Sequence, residues 1–391
     1  MLKKYTTYLI LLLLISSCHA QNLISVGAQD TKAYVPMLKN KQVALVVNQT
    51  SIIGNTHLVD SLLQLKINIK YIFAPEHGFR GTADAGEHVN NSIDKKTGLS
   101  IVSIYGKNAK PSAEQLAGIE VVVFDIQDVG ARFFTYISTM HYVMEACAEQ
   151  KIKMIVLDRP NPNGHYVDGP VLDLKFRSFV GMDPIPIVHG LTVGELAQMI
   201  NGEKWLKEGV QCDLVVVKCK GYTHQSNYKS PIKASPNMPN QVAIKLYPSL
   251  CLLEGVEQAS VGRGTMFPFQ VYGGLQPAFG AFTFTPMPIE GMDKNPKFSG
   301  KLCYGKDLRN SADTAKGFTL AYVLDLYKNT HDTATFFIKN NFFDKLAGTD
   351  QIRIAIKAGK SENEMRKAWQ PALNAYKLNR KKYLLYPDFD E

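Results

Sequence analysis

No pair of cysteines in this chain has Cys-x-x-Cys spacing, which removes the common zinc and thioredoxin-type patterns. Cys147, Cys212 and Cys251 sit in apolar patterns and read as buried free thiols, and Cys212 and Cys219 lie too far apart along one strand to bridge. No apolar run is long enough to span a bilayer. No Gly-x-Gly-x-x-Gly follows a strand, so the dinucleotide fingerprint is missing, and there is no phosphate-binding loop. A Gly-x-Ser-x-Gly nucleophile elbow is absent, which argues against a serine hydrolase. His77 and His88 flank Asp84 and Glu87, but no His-x-His or His-x-x-x-His pair fixes a metal geometry. Neither a metal nor a cofactor is expected. Repeats and low-complexity blocks are lacking too, so solenoid and disordered classes drop out.

What remains is an ordinary globular composition over 391 residues, enough for two domains with full cores. The first 20 residues read as an export signal: Lys3 and Lys4, an apolar stretch over 9–15, then small residues. Ile15-Ser16-Ser17-Cys18 resembles a lipobox that would leave Cys18 lipidated, whereas ordinary cleavage after Ala20 would leave Gln21 first. A formal charge of +9, spread along the chain, suits an anionic substrate or a cell envelope better than nucleic acid.

Strands and helices then alternate. Residues 43–51, 69–74, 101–105, 121–126, 154–157 and 214–217 read as buried strands, and 58–65 and 136–150 as helices. Ser112 with Gln115, and Thr192 with Glu195, are capping boxes; the second opens a helix to about 206. This order predicts an α/β fold, a Rossmann-like parallel sheet with helices on both faces. Proline density rises at 230–239 and the alternation stops, which puts a domain boundary there: 21–234 first, 235–391 second. The second part is a smaller, mixed α+β unit. Its expected elements are helices at 242–253, 318–328 and 333–345, short strands at 279–284, and a final helix to about 379 capped by Ser361 and Glu364.

In a parallel sheet the polar residues at strand ends gather on one edge, where open α/β sheets bind ligands. That edge would collect Asn48, Glu76, His77, Asp125, Gln127, Asp128, Arg132, Asp158 and Arg159. Any one of these aspartates is by itself an ordinary N-cap or turn former, and Glu76 can simply pair with Arg80. Three successive strand ends that each carry a carboxylate point to a cleft. The second unit adds Glu254 and the run Gly262-Arg263-Gly264, either an anion-binding nest or a turn. Paired carboxylates in such a cleft fit glycoside hydrolysis, and equally binding of a sugar or anion without turnover.

APEHGFRG (74–81), DAGE (84–87), FDIQDVGARFFTYI (124–137), LDRPNPNG (157–164), IPIVHGLTVGE (185–195), SPNMPN (235–240), LYPSLCLLEG (246–255) and SVGRGT (260–265) resemble the exo-β-N-acetylmuramidases of peptidoglycan turnover, the NamZ type. Gly273-Gly274-Leu275-Gln276 departs from that pattern, standing where a glycine-plus-proline turn is expected in a cleft wall. The resemblance implies an enzyme that removes N-acetylmuramic acid from the non-reducing end of peptidoglycan fragments, in a cleft between a Rossmann-like domain and an auxiliary domain. Glu76 is the first candidate for general acid. Its partner is Asp125, Asp128 or Glu254, or the substrate's own 2-acetamido group. Arg80, Arg132, Arg159 and Arg263 are candidates for the lactyl carboxylate, with His77 and Asp158 beside them. The competing readings are a non-catalytic muropeptide-binding lipoprotein and, without motif support, an amidase or esterase.

Overall fold

The run QVALVV has nothing but apolar side chains after its first residue, and it becomes the central strand β1 (Gln42–Val47), buried from its second residue on. A strand buried on both faces needs cover on both, which is the parallel-sheet arrangement. We describe residues 24–79, 92–310 and 317–390 of a computed structural model. Around β1 stand β2 (Asn68–Ala74), β3 (Ser92–Ile93), β4 (Ser100–Ser103), β5 (Val121–Asp125), β6 (Lys153–Leu157) and, farther along the chain, β9 (Leu214–Val217). The seven run in the order β9-β6-β5-β1-β2-β4-β3. All neighbours are parallel except the short edge strand β3. Chain order reverses at β1, which has β2 on one side and β5 on the other. An antiparallel pair, β7 (Asp168–Val171) and β8 (Pro186–Val188), stands apart from the sheet.

Both capping boxes form with reciprocal hydrogen bonds, Ser112 with Gln115 and Thr192 with Glu195, as does Ser361 with Glu364 on the helix Glu362–Arg380. The second unit contains the helix Gln241–Leu250, capped by the Asn240 side chain on the Ala243 N–H, and a three-stranded antiparallel sheet. That sheet sets β12 (Cys303–Asp307) between β10 (Val271–Gly274) and β11 (Phe282–Phe284). Gly273 lies in β10, where a Cβ would stand 2.1 Å from the Tyr304 carbonyl oxygen. The departure from the family pattern therefore falls on this small sheet and not on a cleft wall.

One expectation needs correcting. The helix at 333–345 shrinks to Phe342–Ala347. The run Thr335-Phe336-Phe337-Ile338 is aromatic and β-branched, and it lies extended against 255–257 instead: Glu257 N–H donates to Phe336 O (2.7 Å) and Ile338 N–H to Gly255 O (3.1 Å). The last helix returns to the first unit. Tyr376 Oη donates to His189 O (2.7 Å), and Arg366 holds Asp168 at 2.8 Å. One apolar core accordingly contains Val46 and Phe124 of the sheet together with Leu250, Leu326 and Trp369. The closing tail stays extended, with Tyr386 Oη donating to Asp158 (2.5 Å). All five cysteines among the described residues are buried and free. No helix among the described residues is long and apolar enough to cross a membrane.

Candidate active site

Ala74 of β2 pairs with Ser103 of β4, so Glu76 and Tyr105, each two residues farther on, come side by side beyond the sheet edge. Tyr105 Oη donates to Glu76 Oε1 at 2.9 Å. From the other side Thr135, the residue before the helix Tyr136–Gln150, donates its hydroxyl to Glu76 Oε2 at 2.7 Å. Both oxygens of the carboxylate are thereby aimed. The turn that presents it closes through Gly78 N–H to Pro75 O (2.9 Å), and His77 takes the left-handed conformation (φ 67°). Non-glycine residues rarely adopt it outside turns and functional sites. Burial, then the charge of Glu76, pushes the phenols of Tyr105 and Tyr136 well up, so both remain protonated donors.

These groups open onto a cavity of about 370 Å³, the size of a small-ligand site. Its opposite wall comes from the second unit: Tyr247, Cys251, Glu254, Arg263 and Phe269. Arg263 clasps Glu254 through Nε and Nη2 and lies over the Phe269 ring, 4.9 Å from its centroid. Burial alone would lower the Arg263 pKa, but the Glu254 charge outweighs it and raises the pKa. Glycines on both sides of Arg263 have φ 78°, and a Cβ at Gly264 would meet Pro296 at 2.6 Å. The Gly-Arg-Gly run is therefore a tight turn that carries a cavity-facing arginine. Phe133 of the first unit packs edge-on against Tyr247 of the second (5.2 Å), and Tyr247 against Phe269 (4.9 Å). Rings thus join the two walls. The proline-dense crossing segment supplies Ser235, Asn237 and Met238.

Of the residues singled out in the sequence, the fold brings Glu76, His77, Glu254 and Arg263 to this cavity. It brings none of the others among the described residues. Asp125 and Arg159 form a two-point ion pair (2.6 and 2.9 Å) with both side chains buried. Asp128 accepts from Gly130 N–H (2.6 Å) and lies 3.5 Å from His189 Nε2. Asp158 receives the Arg159 and Gly194 N–H groups and the Thr192 and Tyr386 hydroxyls. Arg132 is fully buried and donates to the carbonyls of Pro170, Ile185 and Leu346; burial pushes its pKa down to about 9, still charged at neutral pH. All five are interior girders. Arg80 lies outside the described residues, as do Asp84 and Glu87. Sequence reasoning passed over Tyr105, Thr135, Tyr136 and Asn237. Tyr105 had a usable signal, since the sequence puts it at the end of the apolar run that follows the Glu76 strand.

The N-terminal model of the exo-β-N-acetylmuramidase NamZ family matches residues 43–242, and the C-terminal model residues 245–386. The chain belongs to the NamZ exo-β-N-acetylmuramidase family. It is 38% identical over 375 residues to the peptidoglycan β-N-acetylmuramidase NamZ of Bacillus subtilis (strain 168), an alignment covering 90% of this chain and 89% of that protein. The crystal structure of a DUF1343 family protein from Bacteroides fragilis NCTC 9343 superposes with a TM-score of 0.85 at 48% identity, covering 93% of this chain and 99% of that one. A second DUF1343 protein from the same organism gives 0.80 at 30% identity, with the same coverage. Where the two NamZ models meet, between 242 and 245, the crossing segment has already passed the cavity.

Proposed function

We propose that this chain is an exo-acting glycoside hydrolase that releases N-acetylmuramic acid from the non-reducing end of peptidoglycan fragments. The observation that carries the reading is the pair of carboxylates, Glu76 and Glu254, on opposite walls of one sugar-sized cavity in a member of the NamZ family. Glycosidases act through such pairs, with one group protonating the leaving oxygen and the other serving the opposite face of the ring. Glu76, aimed by two hydroxyls, is assigned the acid role, and Glu254, clasped by Arg263, the partner role. The clasp uses one edge of the guanidinium. Its Nη1–Nη2 edge has no acceptor among the described residues and suits a second, planar carboxylate, that of the lactyl ether.

We also infer export to the bacterial envelope. Support comes from Lys3 and Lys4, the apolar 9–15 stretch and Cys18 in its lipobox-like setting. Two measurements test the whole. A chromogenic β-N-acetylmuramide should be cleaved with release of the free sugar; binding without release would leave a muropeptide-binding protein. Mass spectrometry of the mature N-terminus should find a diacylglyceryl group on Cys18, and a chain beginning at Gln21 would refute the anchor.

A further inference from the structure

Asn237 sits at the tip of a tight turn closed by Met238 N–H to Ser235 O (3.0 Å), in the cavity wall, and is 2% exposed. Its Nδ2 donates to the Met292 carbonyl oxygen at 2.7 Å. A carbonyl can only accept, so this bond decides which atom of the amide is nitrogen and which is oxygen. The other atom, Oδ1, is buried and has no donor among the described residues. A buried acceptor left unpaired is costly, and Asn237 lines the cavity, where a bound ligand is a source of the missing donor.

We propose that Asn237 Oδ1 receives the N–H of the substrate's 2-acetamido group. The assignment rests on the muramidase reading. Sugar hydroxyls can donate or accept, so an acceptor-only atom tells them apart poorly. An amide N–H is a donor alone, and the Nδ2 bond to Met292 leaves Oδ1 as a fixed acceptor that an ester oxygen in the same place cannot satisfy. Carbon-rich neighbours, Met238 and Tyr247, line the same cavity and suit the acetyl methyl. Because the acetamide is planar and trans, holding its N–H also sets the direction of its carbonyl oxygen. Asn237 is thus a specificity residue for 2-acetamido sugars and positions that carbonyl.

The test uses two free sugars: N-acetylmuramic acid, and its analogue with a 2-O-acetyl ester in place of the amide. The ester keeps the carbonyl and methyl but lacks the N–H. Calorimetry on the wild-type protein should show the amide sugar binding at least about tenfold more tightly, the scale of one net hydrogen bond. In Asn237→Ala the two sugars should bind alike, at the weaker value. Equal affinities in the wild type overturn the assignment whether or not the variant folds, and so does a preference that survives in Asn237→Ala. If neither sugar binds and the chromogenic muramide is not cleaved, the muramidase reading fails and takes this assignment with it. If the muramide is cleaved and the affinities are equal, only this assignment fails.

Discussion

Thr135 and Glu76 lie 59 positions apart and meet at 2.7 Å, hydroxyl to carboxylate, where a helix begins beside the end of a strand. With Tyr105 on the other oxygen, the carboxyl group cannot turn without breaking a hydrogen bond. Thr135→Val and Tyr105→Phe should each lower kcat on a muramide by about ten- to a hundredfold with little change in KM, and Thr135→Ser should recover most of the loss. A rise in KM alone would mean that the two hydroxyls contact substrate and do not aim Glu76.

The parts of this arrangement that were legible in the sequence are those with local causes. The strands declare themselves as apolar runs, and the three capping boxes as Ser/Thr-x-x-Glu/Gln. Glu76 stood out because a proline ends its strand and glycines follow. The crowding of carboxylates at strand ends suggests one cleft, yet the role of each differs from residue to residue. Asp125 and Asp158 are held mainly by partners 34 to 228 residues away, and no local pattern announces those partners. The aromatic run at 335–338 has no helix-breaking residue, and only its pairing with 255–257 makes it extended.

The Asp125–Arg159 pair has both charges out of water, and breaking such a pair leaves the other charge uncompensated, at a cost of about 3–5 kcal/mol. Asp125→Leu and Arg159→Met should each lower the melting temperature markedly. The double variant should recover much of the loss, as seen in a double-mutant cycle by thermal denaturation. Single variants that melt like the wild type but lack activity would return the pair to the site.

Asp158 gives the fold a pH signature. Burial, then the charge of Glu195, pushes its carboxyl up to about 6 from 3.8, despite four donors. The native state therefore keeps a proton that the unfolded chain releases. The stability from this group is complete below about pH 4 and is lost as the pH rises through about 6. In Asp158→Asn the slope of melting temperature against pH over that window should flatten. The whole curve should also drop, because an amide N–H₂ would face donors. An unchanged slope would assign the titration to another group.

Arg263 should decide between sugars. Arg263→Ala is expected to lower turnover of a muramide far more than any residual turnover of the matching glucosaminide, and Arg263→Lys should restore little, since an ammonium cannot offer a planar two-point contact. Equal losses on both substrates would confine Arg263 to holding Glu254.

We assign Glu76 as the general acid of a muramidase. Turnover of a chromogenic β-N-acetylmuramide by Glu76→Gln, alongside its affinity for N-acetylmuramic acid, tests that assignment most directly. The glutamine keeps the size and can still accept from one of the two hydroxyls, but it has no proton to give. The expected result is a loss in kcat of about a hundredfold or more, the usual scale for a general acid, with sugar binding and melting temperature close to wild type. Turnover near the wild-type rate would rule Glu76 out as the acid.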